Sequence, residues 1–101
     1  MQPLPPDRLA QALSALPAWR HESGALQRTF ICASFGEVID FMQDCVAVID
    51  RLNHHPTWTN TYTKLHVVLT THDVGDQVTT ADIELAKTLD WIFATRSAPA
   101  G

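Results

Sequence analysis

A helix start followed by a long apolar stripe constrains the fold of this chain more than any other feature. Ser34 and Glu37 form a capping box, in which the serine oxygen accepts from a free amide of the first turn and the glutamate accepts from the amide of the cap residue. Apolar residues then recur at helical spacing on one face: Val38, Met42, Cys45, Ile49 and Leu52. Pro56 prevents continuation. The pattern predicts one long amphipathic helix that stops at Pro56.

Alternating and turn-forming residues on either side of this helix predict two β-hairpins. The first hairpin turns at Ser23-Gly24 and the second at Thr63-Lys64. Aromatic pairs at the spacing of Trp58 and Tyr62 usually lie in a core, and we expect this of Tyr62 in particular. The predicted strands are Trp19 to Glu22 with Leu26 to Ala33, and Trp58 to Tyr62 with Leu65 to Thr71.

Two further helices complete the predicted order of elements. Pro5 and Pro6 suit the first turn of a short helix that ends at Pro17. Thr79 and Asp82 resemble a capping box and begin a final helix of about four turns. The order α-β-β-α-β-β-α predicts an α+β fold of two layers, in which helices cover one face of a four-stranded antiparallel sheet.

Length and charge exclude several classes of protein. A chain of 101 residues has room for a single domain, 1–101, and we expect residues 1–4 and 97–101 to be frayed. The net charge of -4 and the scattered cations argue against nucleic acid as a partner. With no long apolar run and two cysteines in apolar stretches, we expect no membrane span, reduced thiols and a cytoplasmic location. So small a core favours a homo-oligomer.

Three of the five histidines come at predicted element ends: His54 and His55 after the long helix, and His72 after the last strand. Histidine titrates nearest to neutrality, so this cluster indicates acid/base chemistry in a cleft between two loops. Alternative interpretations remain. His54 and His55 also suit the carbonyl end of a helix, and His72 also suits a surface loop. We interpret the remaining two, His21 and His66, as solvent-facing strand residues.

A metal centre is a weaker interpretation of the same residues. It would combine His54 or His55 with His72 and with Asp73 or Asp82. The ligand spacing of known zinc patterns is absent, so we expect no metal.

Together these residues resemble the pterin-4a-carbinolamine dehydratase family. Its signature is an acidic residue, three residues, His-His-Pro, an aromatic-rich strand, and a later Thr-His followed by an aspartate. In this chain the signature reads Asp50, His54-His55-Pro56, Trp58, Asn60, Tyr62, Thr71-His72 and Asp82. The loop from Asp73 to Val78 departs from the family, because it is one residue longer and lacks the common Gly-Gly or Ala-Gly step.

The resemblance implies a dehydratase that converts 4a-hydroxytetrahydropterin to quinonoid dihydropterin and water, in the recycling of pterin for aromatic amino acid hydroxylation. It implies no cofactor, a homodimer or homotetramer, and a hydroxylase as a pathway partner. The catalytic residues would be His55 as the acid, with His54 and His72 as base and orienting groups, although these roles are exchangeable. The implied substrate-binding residues are Asn53, His54, His55, Pro56, Trp58, Thr70, Thr71, His72, Asp73 and Asp82.

Two questions stay open at this point. Asp82 could orient a histidine or only cap the final helix. The same fold is also similar to that of non-catalytic binding modules, namely a transcriptional co-factor and an assembly factor for the carbon-fixing carboxylase. Retention of all three histidines favours the enzyme, since a scaffold has no need of them.

Overall fold

A computed structural model describes residues 2–97 of the chain, except for the side chain of Ser97. Met1 and residues 98–101, which belong to the segments predicted to fray, lie outside the described residues. Within the amino-terminal segment, Leu4 donates its backbone N–H to the carbonyl of Val78 at 2.9 Å. The elements are α1 (Pro6–Ser14), β1 (Arg20–Glu22), β2 (Ala25–Ile31), α2 (Phe35–Leu52), β3 (Thr57–Thr61), β4 (Lys64–Leu69), a 3-10 turn (His72–Val74) and α3 (Thr80–Ser97).

The four strands form one antiparallel sheet in the order β1-β2-β4-β3. Each hairpin contributes one edge strand and one central strand, and the two hairpins join where β2 pairs with β4, for example Phe30 with Leu65. The predicted α+β class, the order of elements and the four-stranded antiparallel sheet are confirmed.

The core lies between one face of the sheet and the helices. Strand β4 alternates as predicted, with Leu65, Val67 and Leu69 fully buried. The ring of Phe30 in β2 packs between the rings of Phe41 in α2 and Phe93 in α3, at centroid distances of 4.9 and 5.0 Å. Each large apolar side chain buried in this way contributes about 1.5–3 kcal/mol to the stability of the fold. Residues of α2 and α3 both belong to this core. The carboxyl end of α2 and the amino end of α3 form part of the site described below.

The start of α2 is capped by Ser34 as predicted, and its end lies a few residues before the predicted stop. Ser34 Oγ accepts from the amide of Glu37 as predicted, but the Glu37 carboxylate accepts from the amide of Ala33 rather than from that of Ser34. The helix ends at Leu52, before Pro56, because Asn53 adopts the left-handed conformation with φ of 50°. A cap of this kind turns the chain away from the helix axis before the histidines.

The turn between β3 and β4 differs from the prediction by one residue. It lies at Tyr62-Thr63, because Thr61 pairs with Lys64 and the Asn60 amide donates to the carbonyls of both Tyr62 and Lys64. Tyr62 therefore adopts φ of 51° at the turn and is 72% exposed. The expectation that Tyr62 lies in the core was wrong, because the turn begins before the strand can bring its ring back to the core face.

Both cysteines are free thiols. Burial, and to a lesser degree the carboxylate of Asp44, raise the pKa of Cys45 to about 12, and burial also raises the pKa of Cys32. Neither thiol is therefore an activated nucleophile near neutral pH. Between residues 2 and 97, no helix is long and apolar enough to cross a membrane.

Candidate active site

The predicted site residues lie at one end of the sheet. Thr57 at the start of β3 pairs with Val68 near the end of β4. Because the two strands are antiparallel, the residues that precede Thr57 and those that follow Leu69 emerge at the same end. The His-His-Pro segment, the Thr-His segment and the start of α3 therefore meet there. A cleft for a ligand between the two loops stays a prediction.

His54 is held at the end of α2 by the backbone and by its own ring. Its amide donates to the carbonyl of Ile49, while the amide of Asn53 donates to that of Asp50, which is the bond pattern of a Schellman motif. The ring nitrogen Nε2 lies 2.5 Å from Oδ1 of Asp82, and the His54 side chain is only 15% exposed. The position and the orientation of this imidazole are therefore both set by the fold.

Asp82 is a fully buried carboxylate whose oxygens are all engaged. Oδ1 faces His54, while Oδ2 accepts from the backbone amide of Thr79 and from the hydroxyl of Thr71, both at 2.8 Å. A carboxylate can only accept, so Nε2 of His54 carries the proton that it donates to Asp82. The two roles left open for Asp82 are therefore combined, because one oxygen caps α3 and the other orients the histidine.

Nδ1 of His54 is the ring nitrogen that remains for a ligand. Within residues 2–97 no protein group forms a hydrogen bond with it. In the neutral imidazole with its proton on Nε2, Nδ1 is an acceptor. The arrangement is that of an imidazole whose orientation is set by a buried carboxylate.

His55 lies beside His54 but in different surroundings. Its Nε2 is 3.1 Å from Oδ1 of Asp50, and both side chains are more than half exposed. Asp50 is the acidic residue of the family signature, and the structure shows that it contacts the second histidine of the pair. His54 is thus buried against one carboxylate, while His55 is accessible beside another.

His72 begins the 3-10 turn in the loop between β4 and α3, and its side chain is 92% exposed. Its Nδ1 lies 3.1 Å from Oδ1 of Asp76, which sits later in the same loop. The loop folds back at Gly75 and Asp76, both with positive φ, and the amide of Thr71 donates to the carbonyl of Gln77 across its base. The long loop noted in the sequence therefore provides His72 with a carboxylate partner, which the sequence analysis did not predict.

The other residues predicted to bind the substrate lie in different parts of the structure. Asn53 and Asp73 are exposed, and Pro56 is half-buried. Thr70 donates its hydroxyl to the carbonyl of Gly24. Trp58 lines a groove of about 520 Å³ against α2, on the helix-covered side of the sheet. Contact of any of these residues with a substrate stays a prediction.

The two histidines left out of the predicted site lie elsewhere. His66 is on the open face of the sheet, between Thr29 and Gln27. His21 is exposed beside a groove at α1. No group of three or more histidine, cysteine or acidic residues within the described part of the chain is arranged to hold a metal ion.

The β1–β2 turn supports the loop that carries His72, a role that sequence reasoning missed. Ser23 and Gly24 both have positive φ, as in a type I′ hairpin turn. A Cβ added to Gly24 would lie 2.8 Å from the carbonyl oxygen of Asp76, so the backbones of turn and loop are in close contact. A glycine in a Ser-Gly turn is the only sequence signal that could have suggested this packing.

We expect Gly24→Ala to destabilise the protein by roughly 1–3 kcal/mol, because alanine adds both strain at positive φ and a clash with the Asp76 carbonyl. Chemical denaturation measures the loss, and backbone NMR shifts of residues 72–77 report displacement of the loop. Gly36→Ala is the matched control, since its added Cβ would meet only Ser34 Oγ at 3.9 Å. Equal stability of the two variants, with an undisturbed loop, would contradict the supporting role of Gly24.

Comparison with known proteins identifies the family. A family model described as pterin 4 alpha carbinolamine dehydratase matches residues 2–92. The chain belongs to this family. Two relatives carry the name pterin-4-alpha-carbinolamine dehydratase as a provisional designation. The relative from Opitutus terrae is 40% identical over 84 residues, which cover 83% of this chain and 87% of its own. The relative from Bradyrhizobium diazoefficiens is 43% identical over 84 residues, which cover 81% and 83%.

A solved structure supports the same family assignment. The crystal structure of a transcriptional coactivator/pterin dehydratase from Brucella melitensis matches this chain with a TM-score of 0.84 and 32% sequence identity. The match covers 89% of this chain and 97% of that one. The resemblance found in the histidine signature is thus confirmed at the level of family and fold.

Proposed function

We propose that this member of the pterin dehydratase family is a catalytically active 4a-hydroxytetrahydropterin dehydratase. The observation that carries the proposal is the contact between His54 and the buried Asp82, with His55 directly beside it in the chain. Burial of a carboxylate destabilises a fold unless hydrogen bonds compensate for the lost water. In this protein one of those hydrogen bonds orients an imidazole. Such an arrangement is typical of acid/base catalysis.

The proposed reaction needs one proton donor and one proton acceptor. The C4a–O bond breaks as the hydroxyl takes up a proton and leaves as water, and N5 loses its proton as the N5=C4a double bond forms. The two electrons of the N5–H bond become the new π bond, so the step is redox-neutral and requires no cofactor. Protonation of the leaving oxygen is needed because hydroxide is a poor leaving group.

The geometry supports different roles for the two adjacent histidines. Nδ1 of His54 is an acceptor because Nε2 donates to Asp82, so His54 suits the base that takes the proton from N5. His55 is accessible and is oriented by Asp50, so it suits the acid at the leaving oxygen. His72, held by Asp76 at the same end of the sheet, suits an orienting group at the edge of the pterin. The remaining predicted residues would surround the ring.

The direct test follows the ultraviolet time course of freshly generated 4a-hydroxytetrahydropterin at near-neutral pH, with and without metal-free purified protein. Accelerated loss of the carbinolamine supports the dehydratase. The double variant His54→Ala/His55→Ala is the matched control, since any acceleration that it retains does not come from these histidines. A folded wild-type sample with no acceleration would contradict the proposal.

The non-catalytic binding module is the second candidate, and an exposed apolar stripe on α2 favours it. Phe35, Ile39 and Val46 lie on one side of this helix and are 40–50% exposed. The similar protein from Brucella melitensis is called a transcriptional coactivator as well as a pterin dehydratase. A homodimer or homotetramer, a cytoplasmic location and a link to an aromatic amino acid hydroxylase remain parts of the proposal for the enzyme.

A further inference from the structure

Thr71 is a buried polar residue at the end of the sheet that carries the candidate site. It is only 6% exposed, and its hydroxyl oxygen lies 2.8 Å from Oδ2 of Asp82. A carboxylate has no proton to give, and two oxygens at this distance would repel each other without a proton between them. Thr71 is therefore the donor in this contact. Its burial leaves the hydroxyl little access to a ligand that arrives from solution.

The backbone around Thr71 sets the direction of its side chain. The residue is extended, with φ of -104° and ψ of 107°. Its amide donates to the carbonyl of Gln77 at 3.0 Å, and its carbonyl accepts from the amide of Val74 at 3.3 Å. Successive side chains of an extended segment point to opposite sides. Thr71 accordingly faces the buried Asp82, while the next side chain, that of His72, is exposed.

The hydroxyl of Thr71 restrains the carboxylate of Asp82 on the side away from the imidazole. Oδ1 faces Nε2 of His54, while Oδ2 accepts from the Thr71 hydroxyl and from the backbone amide of Thr79. The hydroxyl comes from the end of β4 and the amide from the start of α3, so the two donors approach Oδ2 from different elements. Loss of the hydroxyl would let the carboxylate rotate more freely about its Cβ–Cγ bond.

We propose that Thr71 is a positioning residue that acts on His54 through Asp82, and that its hydroxyl is not a hydrogen-bond partner of the substrate. By holding Oδ2, the hydroxyl keeps Oδ1 directed at Nε2 of His54. The proton then stays on Nε2, and Nδ1 remains the acceptor. The catalytic consequence rests on the proposed function, whereas the structural consequence rests on the hydrogen bonds alone.

The experiment compares Thr71→Ser with Thr71→Ala, two variants that lack the γ-methyl group and differ only in the hydroxyl. The structural readout is the low-field NMR signal of the His54 Nε2–H, which is assigned by its absence in His54→Gln. We expect this signal to stay sharp and to exchange slowly in Thr71→Ser, and to broaden and exchange faster in Thr71→Ala. Where Thr71→Ala does not fold, Thr71→Val keeps the side-chain volume without the hydroxyl and takes its place.

The kinetic readout separates positioning from substrate binding. We expect kcat for the carbinolamine to be roughly tenfold lower in Thr71→Ala than in Thr71→Ser, which is the usual effect of one hydrogen bond to a charged group. KM should be unchanged, because no contact with the substrate is lost. Thr61→Val is the matched control, since Thr61 is exposed at the opposite end of β3 and its variant should keep the wild-type kcat and His54 signal.

Three results would count against a part of this argument, and each is distinct. A folded Thr71→Ala protein with the His54 signal and kcat of Thr71→Ser would overturn the positioning role. A raised KM with unchanged kcat and an unchanged signal would also overturn it and make the hydroxyl a substrate contact. If even the wild type does not dehydrate the carbinolamine, the proposed function fails, while the NMR comparison still decides the role of Thr71.

Discussion

Replacement of Asp82 by asparagine should lower the rate of carbinolamine dehydration by about a hundredfold or more, while the protein still folds. The amide has one acceptor oxygen where the carboxylate has two. Its oxygen is needed at the Oδ2 position, where the Thr79 amide and the Thr71 hydroxyl both donate. The NH2 group then faces Nε2 of His54, which must become an acceptor and move its proton to Nδ1. The proposed base would thereby present a proton where it should accept one.

The cost in stability should be smaller than the cost in rate. If the amide turns the other way, its NH2 group faces two buried donors, so either orientation leaves a poor contact. We expect a loss of about 1–3 kcal/mol in the free energy of unfolding, measured by urea denaturation. Asp40→Asn is the matched control, since Asp40 is an exposed residue of α2. A folded Asp82→Asn protein with the wild-type rate would rule out His54 as the oriented base.

The fold was predictable from the sequence where short-range signals agreed with the core. The capping box at Ser34 predicted helix α2, and the alternation of apolar residues predicted the central strand β4, because both patterns match the face that is buried. The errors came at chain reversals. The turn at Tyr62-Thr63 depends on hydrogen bonds from Asn60, and its two residues lack the Asn-Gly or Asp-Gly signal that marks such turns.

The candidate site was predictable as a set of residue types but not as a network. The order of the histidines and Asp82 along the chain pointed to the family, which the comparisons confirm. The partners Asp76 of His72 and Thr79 of Thr71 were missed, because each contact depends on how the loop between β4 and α3 folds back. A single sequence carries no signal for a hydrogen bond between side chains brought together by tertiary structure.

Replacement of His55 by alanine should lower turnover by about a hundredfold or more and leave stability almost unchanged. A positioned proton donor contributes this much when the leaving group is hydroxide. The side chain of His55 is 60% exposed, and its partner Asp50 is 67% exposed, so water can solvate the carboxylate once the imidazole is gone. The rate is measured on the carbinolamine at near-neutral pH, and the stability by urea denaturation.

Two comparisons make the result specific to the role of His55. His21→Ala removes an exposed histidine beside α1 and should retain the wild-type rate. His54→Ala should lower the rate of dehydration, because it removes the proposed base. It should also lower the free energy of unfolding, because it leaves the buried Asp82 without one of its hydrogen bonds. The difference in stability between His54→Ala and His55→Ala therefore separates the buried base from the exposed acid. An unchanged rate in His55→Ala would refute the acid assignment and would move the proton donor to His72, the remaining histidine at this end of the sheet.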